Sequence, residues 1–152
     1  MAQSGLGPLI LQCSPYHSGV ALHPLRYLLI QQCGVGAPGA MRTDLASVAA
    51  LLARQGIDTA DGLALLARFL DIDGVESPPD RTATELRGTT MRLLAKLIRR
   101  MAQEMGVLVI EDIQWLDPST CEILSGLIAD PTLPLIATAR QGGVPPELSA
   151  LP

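Results

Sequence analysis

Lysine is almost absent from this chain. The single Lys96 lies within a helical pattern and no Gly-Lys pair occurs, so the sequence contains no phosphate-binding loop of the form G-x-x-x-x-G-K-[S/T]. Cysteine is scarce. Cys13, Cys33 and Cys121 are odd in number and widely spaced, which excludes a disulfide framework and suits a reduced cytoplasm. With no C-x-x-C pair, a zinc site assembled from Cys13, His17, His23 and Cys33 is not expected. No G-x-S-x-G elbow is present, which sets serine-hydrolase chemistry aside. The amino terminus carries no basic region followed by an apolar core and cleavage site. No apolar run reaches bilayer-spanning length either, so an intracellular chain without a membrane partner is expected. A broad basic tract is also missing and the formal net charge is -4, which argues against direct nucleic-acid binding. Arg92, Lys96, Arg99 and Arg100 share one helix side, as a solvated face does.

What is present is apolar and orderly. With 152 residues, 48% of them hydrophobic, the chain has material for one core and reads as a single domain over 1–152. Leu9 to Cys13 is a short apolar run closing at Ser-Pro, the pattern of a buried strand. Pro24 can open a helix through Leu25, Leu28 and Leu29, giving a first segment over 9–33. A helical insert over 40–73 follows, with helices at Asp44–Gln55, ended by Gly56, and at Asp61–Leu70, opened by Thr59 or Asp61. Gly74 to Asp80 reads as a linker. The remaining core, 80–145, begins with a long helix from about Thr82 to Met105, whose stripe of Leu94, Leu97, Ile98, Met101 and Met105 faces inward before Gly106. A helix capped by Asp117 or Ser119 reaches about Ala129, and Leu135 to Ala139 forms a last strand. The tail from Gln141 to Pro152 suggests no partner strand.

The densest information sits at residues 107–120. Val-Leu-Val-Ile runs directly into Glu111 and Asp112, the layout of a Walker B strand: apolar throughout because it is buried on both faces, with its acids emerging at the carboxyl end of a parallel sheet. One acid there can hold Mg²⁺ and its neighbour can orient the attacking water. The following residues, Ile113-Gln114-Trp115-Leu116-Asp117-Pro118-Ser119-Thr120, add a Trp, an Asp-Pro pair and a Thr at fixed offsets.

Together, Glu111 to Thr120 resembles the "ED-hydrophobic-H-W-hydrophobic-D-P-x-T" signature of STAND-class signalling ATPases, large P-loop regulators found beside class III adenylate cyclase domains and in large LuxR-like transcription regulators. The match holds at Glu111, Asp112, Trp115, Asp117, Pro118 and Thr120; Gln114 stands where the family usually has His. Leu9 to His17 with Ala21 to Pro24 is similar to the family's second strand and loop, and Leu135 to Arg140 to its fourth strand with a Thr-small-Arg sensor.

That resemblance implies an α/β fold: a partial P-loop NTPase parallel sheet with flanking helices and a helical insert, lacking the P-loop strand. It implies Glu111 as the metal-side group for Mg²⁺ and Asp112 as the catalytic, water-orienting group. Thr138, Arg140 and Asp117 would lie near ATP, Arg140 because a guanidinium fork fits phosphate oxygens. The family's P-loop precedes the segment beginning at Leu9, so a piece of an ATPase domain is expected, without tight ATP binding or turnover by itself. ATP is the implied ligand of the intact protein, and an attached cyclase or DNA-binding domain the implied output. Truncation would leave the last strand with an unpaired edge and an uncovered apolar face, through which the chain could self-associate.

Two other readings belong beside it. Gly34-Val35-Gly36-Ala37-Pro38-Gly39 satisfies G-x-G-x-x-G, and Asp58 lies about twenty residues beyond. That dinucleotide fingerprint must follow a strand, whereas helical spacing precedes it here, so an inter-helix loop is expected. The other is a non-catalytic interaction module built from an ATPase-like piece.

Overall fold

The computed structural model describes residues 7–34, 43–57, 59–75 and 81–149. In chain order they form β1 (Leu9–Gln12), α1 (His23–Gly34), α2 (Leu45–Arg54), α3 (Ala60–Phe69), α4 (Ala83–Met105), β2 (Leu108–Glu111), α5 (Pro118–Ile128), β3 (Leu135–Ala137) and α6 (Pro146–Ser149). Short 3-10 turns cover Pro15–His17 and Ile113–Trp115. The fold is α/β, a three-stranded parallel sheet flanked by helices. Two compact units divide it, Met1–Pro24 with Ile98–Pro152, and Leu25–Leu97. No helix of the described residues is long and apolar enough to cross a membrane.

The first unit holds the sheet. Its strands run in the order β1-β2-β3, all parallel, so β2 is central. Register places Leu9, Leu108 and Leu135 in one row, Ile10, Val109 and Ile136 in the next, and Leu11, Ile110 and Ala137 in the third. Because side chains alternate between faces along a strand, Leu9, Leu11, Leu108 and Ile110 share a face, and all four are fully buried. Each such side chain contributes about 1.5–3 kcal/mol on leaving water. The other face is open: Ile10 is 43% and Ile136 55% exposed, with half-buried Val109 between them.

This corrects the expectation of a central strand buried on both faces. A parallel sheet is apolar on both sides because helices normally cover both, and among the described residues only one side of β2 is enclosed. The apolar run of residues 107–110 records two hydrophobic faces, one of which lacks its cover here.

Gly106 sets the entry to β2. Its backbone is left-handed (φ 85°) and its N–H donates to the Ala102 carbonyl at 2.9 Å, so the helix ends in the one residue type that adopts this geometry without a Cβ penalty. After the sheet's central strand, α5 buries Cys121, Ile123, Leu124 and Leu127. Arg99 and Asp130 form an ion pair in this unit. The tail, for which no element was read from the sequence, contains α6, which buries Leu148.

The second unit is helical. Leu25, Leu28, Leu29 and Cys33 place α1's apolar stripe at helical spacing, and all are buried. Asp44 opens α2 through a capping box in which the Ser47 N–H donates to Asp44 Oδ1 (2.8 Å) and the Asp44 N–H donates to Ser47 Oγ (3.0 Å). These bonds hold the Asp44 carboxyl below its ordinary range. Thr59 caps α3 by accepting from the Gly62 N–H at 3.0 Å, and a Cβ at residue 62 would stand 2.7 Å from that hydroxyl. Asp71, left-handed at φ 54°, follows α3 and pairs with Arg26 at 2.6 Å. At the start of α4, Glu85 accepts from the Thr82 N–H (2.8 Å) and hydroxyl (2.9 Å), the reach-back half of a second box. Met105, predicted to face inward, is only half-buried. Residues 35–39 of the glycine-rich stretch and Asp58 lie outside the described residues, but its first member, Gly34, ends helix α1 rather than a strand.

Candidate functional site

The carboxyl ends of three neighbouring parallel strands bring Gln12, Glu111 and the residues after Ala137 to one edge of the sheet. Glu111 is the last residue of β2, paired with Gln12 of β1 and half-buried. By alternation its side chain shares the open face with Val109. Asp112 leaves the strand in a left-handed conformation (φ 57°, ψ 50°), uncommon outside glycine and best tolerated by Asn and Asp. It is exposed. The two acids are therefore not equivalent: one stands on the sheet, the other on a strained turn beyond it.

Thr138 holds that turn. Its hydroxyl accepts the Asp112 N–H at 3.1 Å, its carbonyl accepts the Ile113 N–H at 3.0 Å, and its own N–H donates to the Ile110 carbonyl at 2.9 Å. The Thr138 hydroxyl thus serves the backbone beside the acids. Two residues on, Arg140 is exposed, and among the described residues its guanidinium makes no ion pair. Its backbone N–H donates to Gln114 Oε1 at 3.2 Å, while Gln114 Nε2 donates to Asp112 Oδ1 at 3.0 Å. The turn closes with Gly142 at φ 75° and a bond from the Gly143 N–H to the Arg140 carbonyl at 2.8 Å.

Asp117 is employed differently. Only 2% exposed, it is the N-cap of α5: Oδ1 accepts both the Thr120 N–H and the Leu22 N–H at 3.0 Å, and Oδ2 accepts the Thr120 hydroxyl at 2.5 Å. The bond to Leu22 reaches across the sequence to the loop after β1, where Leu22 is itself left-handed (φ 61°). A bulky residue holds that conformation only when its surroundings over-determine it, and the buried carboxylate supplies the restraint. In the same loop His17 and His23 stack, ring centroids 3.7 Å apart and 2° from parallel. Since each ring's lone pairs lie in its own plane, this arrangement does not converge on one ion.

Cys13, just past β1, and Cys121, in the first turns of α5, are buried in this unit. Burial pushes the Cys13 thiol up to about 12, with the Asp117, Cys121 and Asp112 charges adding to it, and burial likewise raises Cys121. Both are poor nucleophiles at neutral pH.

The five residues singled out from the sequence thus fall in one unit. Glu111, Asp112, Thr138 and Arg140 stand at the carboxyl ends of β2 and β3, and Asp117 lies just after them as a buried clasp. Sequence reasoning marked Gln114 as a departure from the family pattern and assigned it nothing. Its bond to the Arg140 N–H was hidden because it depends on the register between β2 and β3, whereas its bond to Asp112 is local to the turn.

No protein-family model matches the chain, and no solved structure does. Over 136 residues, 87% of its length, the chain is 27% identical to an uncharacterized protein of Rhizobium meliloti (strain 1021). It spans 13% of that protein's length.

Proposed function

We propose that this chain is part of an ATP-binding and hydrolysing domain of the STAND signalling class, a nucleotide switch within a larger regulator. One observation carries the reading: the acidic pair at the end of the central parallel strand is stitched to the turn bearing Arg140, which makes no ion pair among the described residues. Parallel sheets bind ligands outside the carboxyl ends of their strands. The open Ile10–Val109–Ile136 row, and the side of β3 that no described strand pairs, suit a further strand and helix carrying a phosphate-binding loop, which these residues lack. The great length of the similar Rhizobium protein is compatible with such an arrangement.

In this reading Glu111 is the metal-side ligand and Asp112 orients the attacking water. Arg140 places positive charge near a terminal phosphate, and Thr138 fixes the acid turn. Carboxylate oxygens suit Mg²⁺, which keeps waters and phosphate oxygens as its other ligands. When bound, the ion would neutralise charge on the phosphates. Attached output domains, cyclase or DNA-binding, belong to the same proposal.

The coding sequence ahead of Met1 offers the first check, since the reading requires an in-frame Gly-Lys-Ser or Gly-Lys-Thr. With that segment included, ATP should raise the melting temperature, and Asp112→Asn should lower turnover about 10²–10⁴-fold while sparing ATP binding. Undiminished hydrolysis in that variant would sink the role given to Asp112. The exposed Ile10 and Ile136 also favour a second reading, a non-catalytic interaction module. It would show no ATP-dependent stabilisation after extension.

A further inference from the structure

Gln114 occupies a position no simple packing argument explains. Its side chain is half-buried, sits in the 3-10 turn after β2, and spends both ends of its amide on the two loops that carry the candidate site. The Nε2 group donates to Asp112 Oδ1 at 3.0 Å, and Oε1 accepts the backbone N–H of Arg140 at 3.2 Å. Contact along the stem reinforces these bonds. A Cβ at Gly143 would stand 2.9 Å from Gln114 Cβ and 3.0 Å from the Arg140 carbonyl, so the turn after Arg140 is pressed against the glutamine closely enough to require glycine there.

We propose that Gln114 is a positioning residue that couples Asp112 to the Arg140 turn, so that a change at the acid is transmitted to the arginine. Its meaning for catalysis rests on the nucleotide reading above: the water-side acid and the phosphate-side cation would respond as one unit. The chemistry of the amide is suited to this. A primary amide both donates and accepts, so it bridges an acid that only accepts and a backbone N–H that only donates. Asp112 is held at the other end by Thr138, which leaves its left-handed turn restrained from two sides. The bridge lies between two loops of a single unit, and no other described side chain bonds to both Asp112 and Arg140.

Hydrogen exchange at the Arg140 amide, read by NMR on the 152-residue chain without nucleotide, tests the coupling. Gln114→Leu, which keeps the bulk and removes both bonds, should accelerate that exchange roughly fivefold, the protection expected of one hydrogen bond. Asp112→Gly removes the carboxylate from a position whose left-handed backbone glycine adopts freely. It should also accelerate Arg140 exchange, whereas Asp112→Asn, which keeps an acceptor oxygen, should leave it near the wild-type rate. The decisive comparison is the double variant. If Gln114 is the link, adding Asp112→Gly to Gln114→Leu changes Arg140 exchange no further. Unchanged exchange in Gln114→Leu, an Asp112→Gly effect of equal size with and without Gln114, or an Asp112→Asn rate as fast as that of Asp112→Gly overturns the proposal. Because no nucleotide enters the measurement, its failure is separate from a failure of ATP to bind or turn over in the extended protein.

Discussion

Asp117 shows how much one buried side chain can decide. Its carboxylate satisfies two backbone N–H groups and a hydroxyl while shielded from water, and it restrains Leu22 in a conformation that residue would otherwise avoid. Asp117→Ala removes the cap of α5 and strands three donors, and should destabilise the chain by about 2–3 kcal/mol. Thermal unfolding would register this as a fall of about 5–10 °C. Asp117→Asn, which retains an acceptor oxygen, should lose less. The thiols make a second prediction. Burial raises Cys13 to about 12 and Cys33 to about 11 from an ordinary 9.0, so the folded chain holds these protons more tightly than the unfolded chain does. Their contribution to stability is complete below pH 9.0 and declines as pH rises toward those folded values. Urea midpoints should therefore fall on the alkaline side of pH 9.0, and less so in Cys13→Ser. A thiol reagent at neutral pH should label Cys13 and Cys33 slowly until urea is added.

Among the helices, α4 contains a correctable weakness. Gly88 lies in its interior, and a Cβ there would meet only the Arg92 guanidinium, at an ordinary 3.6 Å. Gly88→Ala should stabilise the chain by about 0.5–1 kcal/mol, measurable by urea unfolding, because alanine loses less backbone freedom and meets no obstruction. An unchanged or lower midpoint would show that something else occupies that space. Elements of this kind were legible in the sequence. Helical spacing located α1, α2, α3 and α4, and local chemistry located their ends, as Gly106 and the Thr59 cap illustrate. The strand that closes at Glu111 was legible for the same reason: a run of apolar residues meeting an acid needs no distant information. What escaped depended on partners far along the chain. Nothing near Val109 told that one face of its strand would be open, nothing near Asp117 told that Leu22 would be its partner, and nothing near Gln114 named Arg140. The short helix α6 escaped because four residues carry too little periodicity to be read.

For the molecule as a whole, the open sheet face is the feature with a consequence to test in solution. The row Ile10–Val109–Ile136 ends at β3, which among the described residues has a paired neighbour on one side only. Such an edge with apolar residues beside it is a template for further pairing. Sedimentation of the 152-residue chain should show concentration-dependent association, and Ile136→Lys should shift it toward monomer by placing charge on that row. Association unaffected by the substitution would place the contact elsewhere. The same sheet has a history in time as well as a shape in space. Leu9 and Leu108 are partners in one row, yet the whole helical unit is encoded between them. A ribosome adding about 5–20 residues per second needs roughly 5–20 s to deliver β2 after β1 has been made. Through that interval Leu9 to Gln12 waits for the strand it pairs with here, its apolar side chains open to other contacts. Of the two strand pairings described, the order of synthesis thus leaves β1 waiting the longer for its partner.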